Sequence, residues 1–556
     1  MNPSRSTFKT MLALALILVS AAPVFVKAAQ PADDRAALHV LNRVAFGPRA
    51  GDIERVRRMG IDAWLDEQLH PERIALPDSL TTRLATLATT NMPIADLIAE
   101  FRADQKAVQE AKRAEAVNAT TGASATPADR KGDAKAQRRE DYQRINVQSG
   151  EARLARAIDS PRQLEEVMTD FWFNHFNVFI GKGLDHVLVA NYERDAIRPH
   201  ALGNFRDLLG ATARHPAMLF YLDNWLSTSP DFEPRGALAV GKKAKAAGLN
   251  ENYARELMEL HTLGVENEGK PGGYTQRDVT ELARILTGWT FDPRPASPNA
   301  GQFVFDPRRH DNGVKTWLGK TITPNGEGEG EQALDVLAMH PATAHHIAYQ
   351  LAQYFVADNP PPALVDRLSA RFLATRGDIR AVLKTLFDSA EFRDPKFDAA
   401  KFKTPYQYVV SAARASGVAV VNVRPLLGVL AQLGMPLYGC QTPDGYKNTE
   451  DAWLNPEGMT RRINFATALA TGRLPIDRVD ADAKPVAASA MTPASMSSNP
   501  TPVVTPATMR TAPLQADVLI ATLGSGIGAR TRTAVGEAAP DLAAALVLGS
   551  PDFMRR

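Results

Sequence analysis

Residues 250–289, NENYARELMELHTLGVENEGKPGGYTQRDVTELARILTGW, narrow the folding options of this chain most. Two stretches with helical spacing flank a loop rich in Gly, Asn, Glu and Lys, so the spacing predicts a helical hairpin. On a wheel turning about 100° per residue, Tyr253, Leu257 and Leu260 share one face of the first helix. Arg255 and Glu259 are i,i+4 neighbours, and Glu256 stands three residues before Glu259. His261 falls about 160° from Glu259 on that wheel. Glu256, Glu259 and His261 therefore cannot wrap one metal ion from one regular helix. The Glu-x-x-His pairs of di-iron bundles are missing as well. Thr275-x-x-Asp278 reads as a capping box opening the second helix, and Gly288 suits its end. Val279, Leu282, Ala283 and Leu286 mark its buried face. Asp278, Glu281 and Arg284 lie off that face, as charge partners for Arg255, Glu256 and Glu259. The hairpin charges are either structural pairs of this kind or members of a polar site.

A second segment raises the same question. Residues 152–179 predict a helix that starts at Ser160-Pro161, with Ser as cap and Pro in the first turn, and carries aromatics on every side. Protein should surround it. Within that wrap stand Asp170, Asn174, His175 and Asn177, and each costs on the order of 1–3 kcal/mol if buried unpaired. His175 is the sharper lead: it is a structural histidine bonded to backbone or Asp, or a general base or metal ligand. Asp223 and Glu256 are the partners to look for. His310-Asp311 and His345-His346 read as loop and helix-surface residues. No GxSxG elbow, P-loop or HExxH motif occurs in the chain.

The remaining pattern is helical over most of its length, and the fold class is mainly α: a large multi-helix domain with a small β-hairpin or sheet near residues 303–322. Residues 303–306 and 316–322 are the strand candidates, with 310–313 as the turn between them. Residues 104–141 mix acids and bases with few large apolar residues, and predict an exposed charged insertion with a flexible break at 118–129. The connection 226–249 reads as exposed. Residues 35–475 form the expected core. A low-complexity linker covers 483–509, and a helical segment, strongest at 534–548, covers 514–556.

The first 28 residues read as a signal peptide. Arg5 and Lys9 precede a short apolar run at 11–19, and Val26-Lys27-Ala28 places small residues at the −3 and −1 positions of a cut before Ala29. The run is too short for a permanent membrane span. The formal charge of +2 includes Arg5, Lys9 and Lys27, so the mature chain is near neutral and gives no electrostatic argument for nucleic acid. The single cysteine, Cys440, excludes an internal disulfide and cysteine zinc clusters.

Several long motifs occur in one order: Leu41–Pro48 (LNRVAFGP), FWFNHF from Phe171, NENYARELMEL from Asn250 with Leu263-Gly264-Val265, Tyr274-Thr275 with Asp278-Val279, and LTGW ending at Trp289. Pro443-Asp444-Gly445-Tyr446, Trp453, Arg461 and Asn464 follow. Together they resemble the bacterial domain of unknown function 1800 family over roughly residues 35–475. The resemblance implies an exported, largely helical protein. It also implies a partner, since members are often encoded beside an exported family with an alkaline-phosphatase-like fold, domain of unknown function 1501. It supplies no catalytic residues and no cofactor. The expected role is periplasmic or extracellular processing or assembly with that partner. The alternative is a periplasmic enzyme with a buried polar site built from His175, Arg255, Glu256 and Glu259.

Overall fold

The apolar spacing read along the chain is realised as helices whose inward stripes meet in one hydrophobic core, running from Ala37 to Met554. A computed structural model describes residues 33–121, 127–233, 248–270, 272–478 and 512–556. The expected leader and the 483–509 run lie outside the described residues. The protein is mainly α, with two small antiparallel two-stranded sheets among the described residues. No helix among those residues is long and apolar enough to cross a membrane.

Helix α1 (Asp34–Val44) is capped by Asp33, whose side chain accepts from the Ala36 N–H at 2.6 Å. The charged 104–141 stretch is largely helical: α2 (Ile94–Thr121) and α3 (Pro127–Asp159) pack along each other. Of the break expected at 118–129, residues 118–121 instead extend α2 and 127–129 open α3, and 122–126 lie outside the described residues. Val108 and Ala111 are buried and anchor this part of α2. Helix α4 (Gln163–His175) starts later than Ser160-Pro161 predicts. Ser160 Oγ instead accepts from the Arg162 N–H (3.0 Å) in the preceding turn. Phe176 and Val178 lie beyond the end of α4, yet both are fully buried. In the 226–249 connection, expected to be exposed, Ser227, Thr228 and Ser229 are buried. Thr228 N bonds Gly248 O (3.0 Å) and Ser229 N bonds Arg309 O (2.7 Å), tying down residues 227–229, while 234–247 lie outside the described residues.

The predicted hairpin forms: α5 (Asn252–Glu259) packs on α6 (Gln276–Ile285), which opens with the Thr275–Asp278 capping box. Because α5 ends at Glu259, Leu260 is only half-buried and His261 escapes the wheel. The buried face is Tyr253, Ala254, Leu257 and Met258. The expected pairing of 303–306 with 316–322 does not form. Instead β1 (Trp289–Phe291) pairs with β2 (Phe303–Phe305), and β3 (Lys315–Trp317) pairs with β4 (Lys320–Ile322). Leu318 and Gly319, at φ 46° and 71°, make a two-residue turn that folds the second candidate strand on itself.

Beyond the sheets come α7 (Glu327–Ala338), α8 (Pro341–Phe355), α9 (Pro405–Ser416) and α10 (Pro456–Ala470). The helix expected over 534–548 is split by Pro540 into Ala529–Glu537 and α11 (Pro540–Leu548). Helix α11 packs on α10, and the Tyr408 hydroxyl on α9 lies between the carbonyls of Arg462 (3.1 Å) and Leu548 (3.0 Å).

Candidate functional site

Helix α4 carries the side chains that build the site. Trp172 anchors it, fully buried and donating from Nε1 to Ala201 O at 3.0 Å. One turn on, at the end of the helix, His175 Nε2 lies 3.2 Å from His261 O. A carbonyl can only accept, so Nε2 carries the proton and Nδ1 keeps its lone pair. The rings of His261 and His346 stand 6.1 and 6.3 Å from that of His175. Burial, reinforced by His346, pushes the His175 imidazole down to about 3, so it is neutral at neutral pH.

The neighbouring asparagines hold a distant loop against α4. Asn174 clamps the backbone of Tyr446 from both sides, donating to Tyr446 O and accepting from Tyr446 N, each at 2.8 Å. Asn177 donates to Cys440 O (3.0 Å) and Thr442 O (2.9 Å). Gly445 sits at φ 68°, and a Cβ there would lie 2.2 Å from Asn174 O. Gly445→Ala should therefore cost about 1–3 kcal/mol, seen as a lower urea midpoint, because the loop must leave its clamp. Asp444 in the same loop accepts from Thr442 Oγ1 (2.6 Å) and Lys447 Nζ (2.8 Å). Burial would raise its carboxyl, but these two contacts outweigh it and hold the group below the usual carboxylate range.

Between this loop, α4, the end of α5 and α8 lies a cleft of about 250 Å³, lined among others by His175, Glu259, Glu266, His346, Gln350 and Asp444. His346 Nδ1 is 3.6 Å from Glu266 Oε1, a contact that draws the Glu266 carboxyl down. Of the four residues expected to make a site, His175 and Glu259 line the cleft. Arg255 meets Glu259 at 3.1 Å without lining it. Glu256 also lies off the lining, half-buried; burial, then Glu259 and Asp444, push its carboxyl up to about 7 despite Arg255. The expected ion pairs across the hairpin are not the ones formed. Arg284 pairs with Glu281 (3.0 Å) and Asp311 (2.8 Å), while the helices are joined by Arg255–Gln276 (2.6 Å) and Thr280–Glu251 (2.7 Å). Asp223 binds Lys182 (2.8 Å) and is not the partner of His175.

His310 lies in a loop as read, though inside the protein, and His346, read as a helix-surface residue, lines the cleft. His310 is buried against Glu329. His346 is half-buried on the cleft side of α8, while its neighbour His345 is exposed. The buried rows of Ile347 and Leu351 flank His346 and Gln350, so the 3.6-residue period could have distinguished the two adjacent rings. Among the described residues no group of three or more His, Cys, Asp or Glu is arranged to hold a metal ion.

The molecule is thus a large helical protein with a polar cleft assembled from segments far apart in sequence. The family model described as "Protein of unknown function (DUF1800)" matches residues 39–555, and the chain belongs to that family. No curated protein and no solved structure matches it.

Proposed function

We propose that this chain is exported to the periplasm or beyond, and that its cleft recognises a small polar ligand or polar group during extracytoplasmic processing or assembly. The convergence of the FWFNH, ELMEL and PDGY segments on one cleft carries this reading. A neutral His175 offering a lone pair suits acceptance of a hydrogen bond from a ligand O–H or N–H. It is too weakly basic for efficient general-base work near pH 7. An alkaline-phosphatase-like exported protein is the partner we assign, on the family resemblance. A second reading, a periplasmic enzyme, is favoured by one observation: the Glu256 carboxyl, at about 7, is matched to proton transfer near neutral pH.

The test is a thermal-shift screen of saccharides, peptides and nucleotides on the mature protein and on His175→Phe. Phe suits the aromatic surroundings of Phe171, Trp172 and Phe176 while removing the lone pair. The expected result is a ligand-dependent rise in Tm that vanishes in the variant. A rise of equal size in both proteins would rule out the cleft as the recognition site.

A further inference from the structure

Five basic side chains meet inside this fold with few acids to match them. Arg43, Lys401, Lys403, Arg462 and Arg556 are each no more than 4% exposed. Lys401 is answered by the Asp358 carboxylate and by Asn448 O (2.8 Å). The arginines meet neutral carbonyls instead: Arg43 with Phe397 O (2.7 Å), Arg462 with Lys403 O (2.8 Å) and Arg556 with Tyr354 O (2.9 Å). Lys403 Nζ has the Ser411 hydroxyl at 2.9 Å and lies 4.0 Å from the ring centre of Phe553. Arg43 Nε and Nη1, Arg462 Nη1 and Arg556 Nε are buried with no hydrogen-bond partner among the described residues. Buried cations left this way are costly unless a counter-charge reaches them.

A cavity of about 10 Å³ lies against this cluster. Lys403, Arg556, Ser411, Gln407 and Asn42 are on its wall, and among the described residues no Asp or Glu is. That volume is about one water molecule, too small for phosphate, sulfate or a carboxylic acid. Gly47 keeps the wall close, since a Cβ there would lie 2.7 Å from Ser411 Oγ. Chloride is only somewhat larger than a water molecule, and the Lys403 and Arg556 side chains on the wall favour an anion over water by Coulomb attraction.

We propose that this cavity is a halide site, in which a buried chloride bonds the Lys403 ammonium, the Arg556 guanidinium and the Ser411 O–H. Ser411 accepts from Lys403 through its oxygen, which leaves its hydrogen for the anion. The chloride offsets the positive cluster where residues 401–403 meet residues 554–556. Burial, with Arg556 and Arg462 nearby, pushes the Lys403 ammonium down to about 7, the strain that such an anion relieves.

Crystals of the full chain grown in bromide, measured at the bromine absorption edge, test the site. The expected result is an anomalous peak beside Lys403 Nζ that is lost in Lys403→Met. In solution, the Tm should rise by roughly 1 °C for each tenfold increase in chloride above its Kd, with gluconate holding ionic strength constant. Should Lys403→Met fail to fold, Ser411→Ala serves instead, and a weaker peak with a smaller chloride response is expected. No peak in the wild-type cavity, a peak unchanged in either variant, or a Tm indifferent to chloride overturns the assignment.

Discussion

Arg153→Met is expected to cost about 3–5 kcal/mol of stability, read as a lower urea midpoint at unchanged slope. The Arg153 guanidinium lies 5.0, 5.2 and 5.1 Å from the ring centres of Phe173, Tyr406 and Tyr438. It bonds Asp170 at 2.5 Å and Glu193 at 3.2 Å, and all three charged groups are buried. Met occupies much of the same space, so the packing loss is the smaller effect. The charge loss decides the outcome. Glu193 keeps Arg198 (3.2 Å) and the Tyr438 hydroxyl (2.9 Å). Asp170 loses the one cation that pairs with it among the described residues. A lone buried carboxylate then remains. Adding Asp170→Asn should recover a large part of the loss. A double variant no better than the single one would assign the effect to the aromatic rings.

The same network forms the rear of the cleft. Asp170 and Asn174 stand four residues apart on α4 and both line it. Arg153, on α3, thus fixes one wall through Asp170, while Asn174 fixes the PDGY loop that supplies another. The position of His175 depends on both, because it sits on the last residue of that helix. Part of the buried charge in this protein therefore orients the polar cleft.

Local pattern made some of this legible in sequence. The aromatic wrap of α4, the Thr275 cap and the Arg255–Glu259 pair each depend on residues within four positions, and each forms. The motif segments that meet in the cleft could be recognised, but their meeting could not. The Asn174–Tyr446 clamp joins residues 272 positions apart, with no period or spacing to announce it. Strand pairing failed for a related reason. The turn residues Leu318 and Gly319 closed 316–322 on itself, while residues 289–291, the end of a helical pattern, became the partner of 303–305. His310 read as a loop residue because the counter-charge it shares with Lys315 lies on the next helix.

That counter-charge is Glu329, and Glu329→Gln should destabilise the protein by about 3–5 kcal/mol at pH 7 and by much less in acid. The side chains of Glu329, His310 and Lys315 are all fully buried. Glu329 Oε1 is 3.0 Å from His310 Nε2 and accepts from the Asn325 N–H at 3.0 Å, while Oε2 is 2.6 Å from Lys315 Nζ. His310 Nδ1 lies 2.9 Å from Thr287 O, so each ring nitrogen has an acceptor in reach. Gln preserves the shape of Glu329 and removes the charge on which Lys315 depends. Burial alone would raise the Glu329 carboxyl, but the bonds from His310, Lys315 and Asn325 outweigh it and hold the group below the usual carboxylate range. A depressed folded value means that the carboxylate stabilises fully above its unfolded value of about 4.3. That contribution is lost as pH falls through the lower folded value. Gln carries no charge at any pH, so the gap between variant and wild type should narrow on acidification, as followed by urea unfolding at pH 7 and below pH 4. A gap of constant size across that range would show that the lost contribution is one of shape and hydrogen bonding, and that the buried charge at residue 329 contributes nothing to stability.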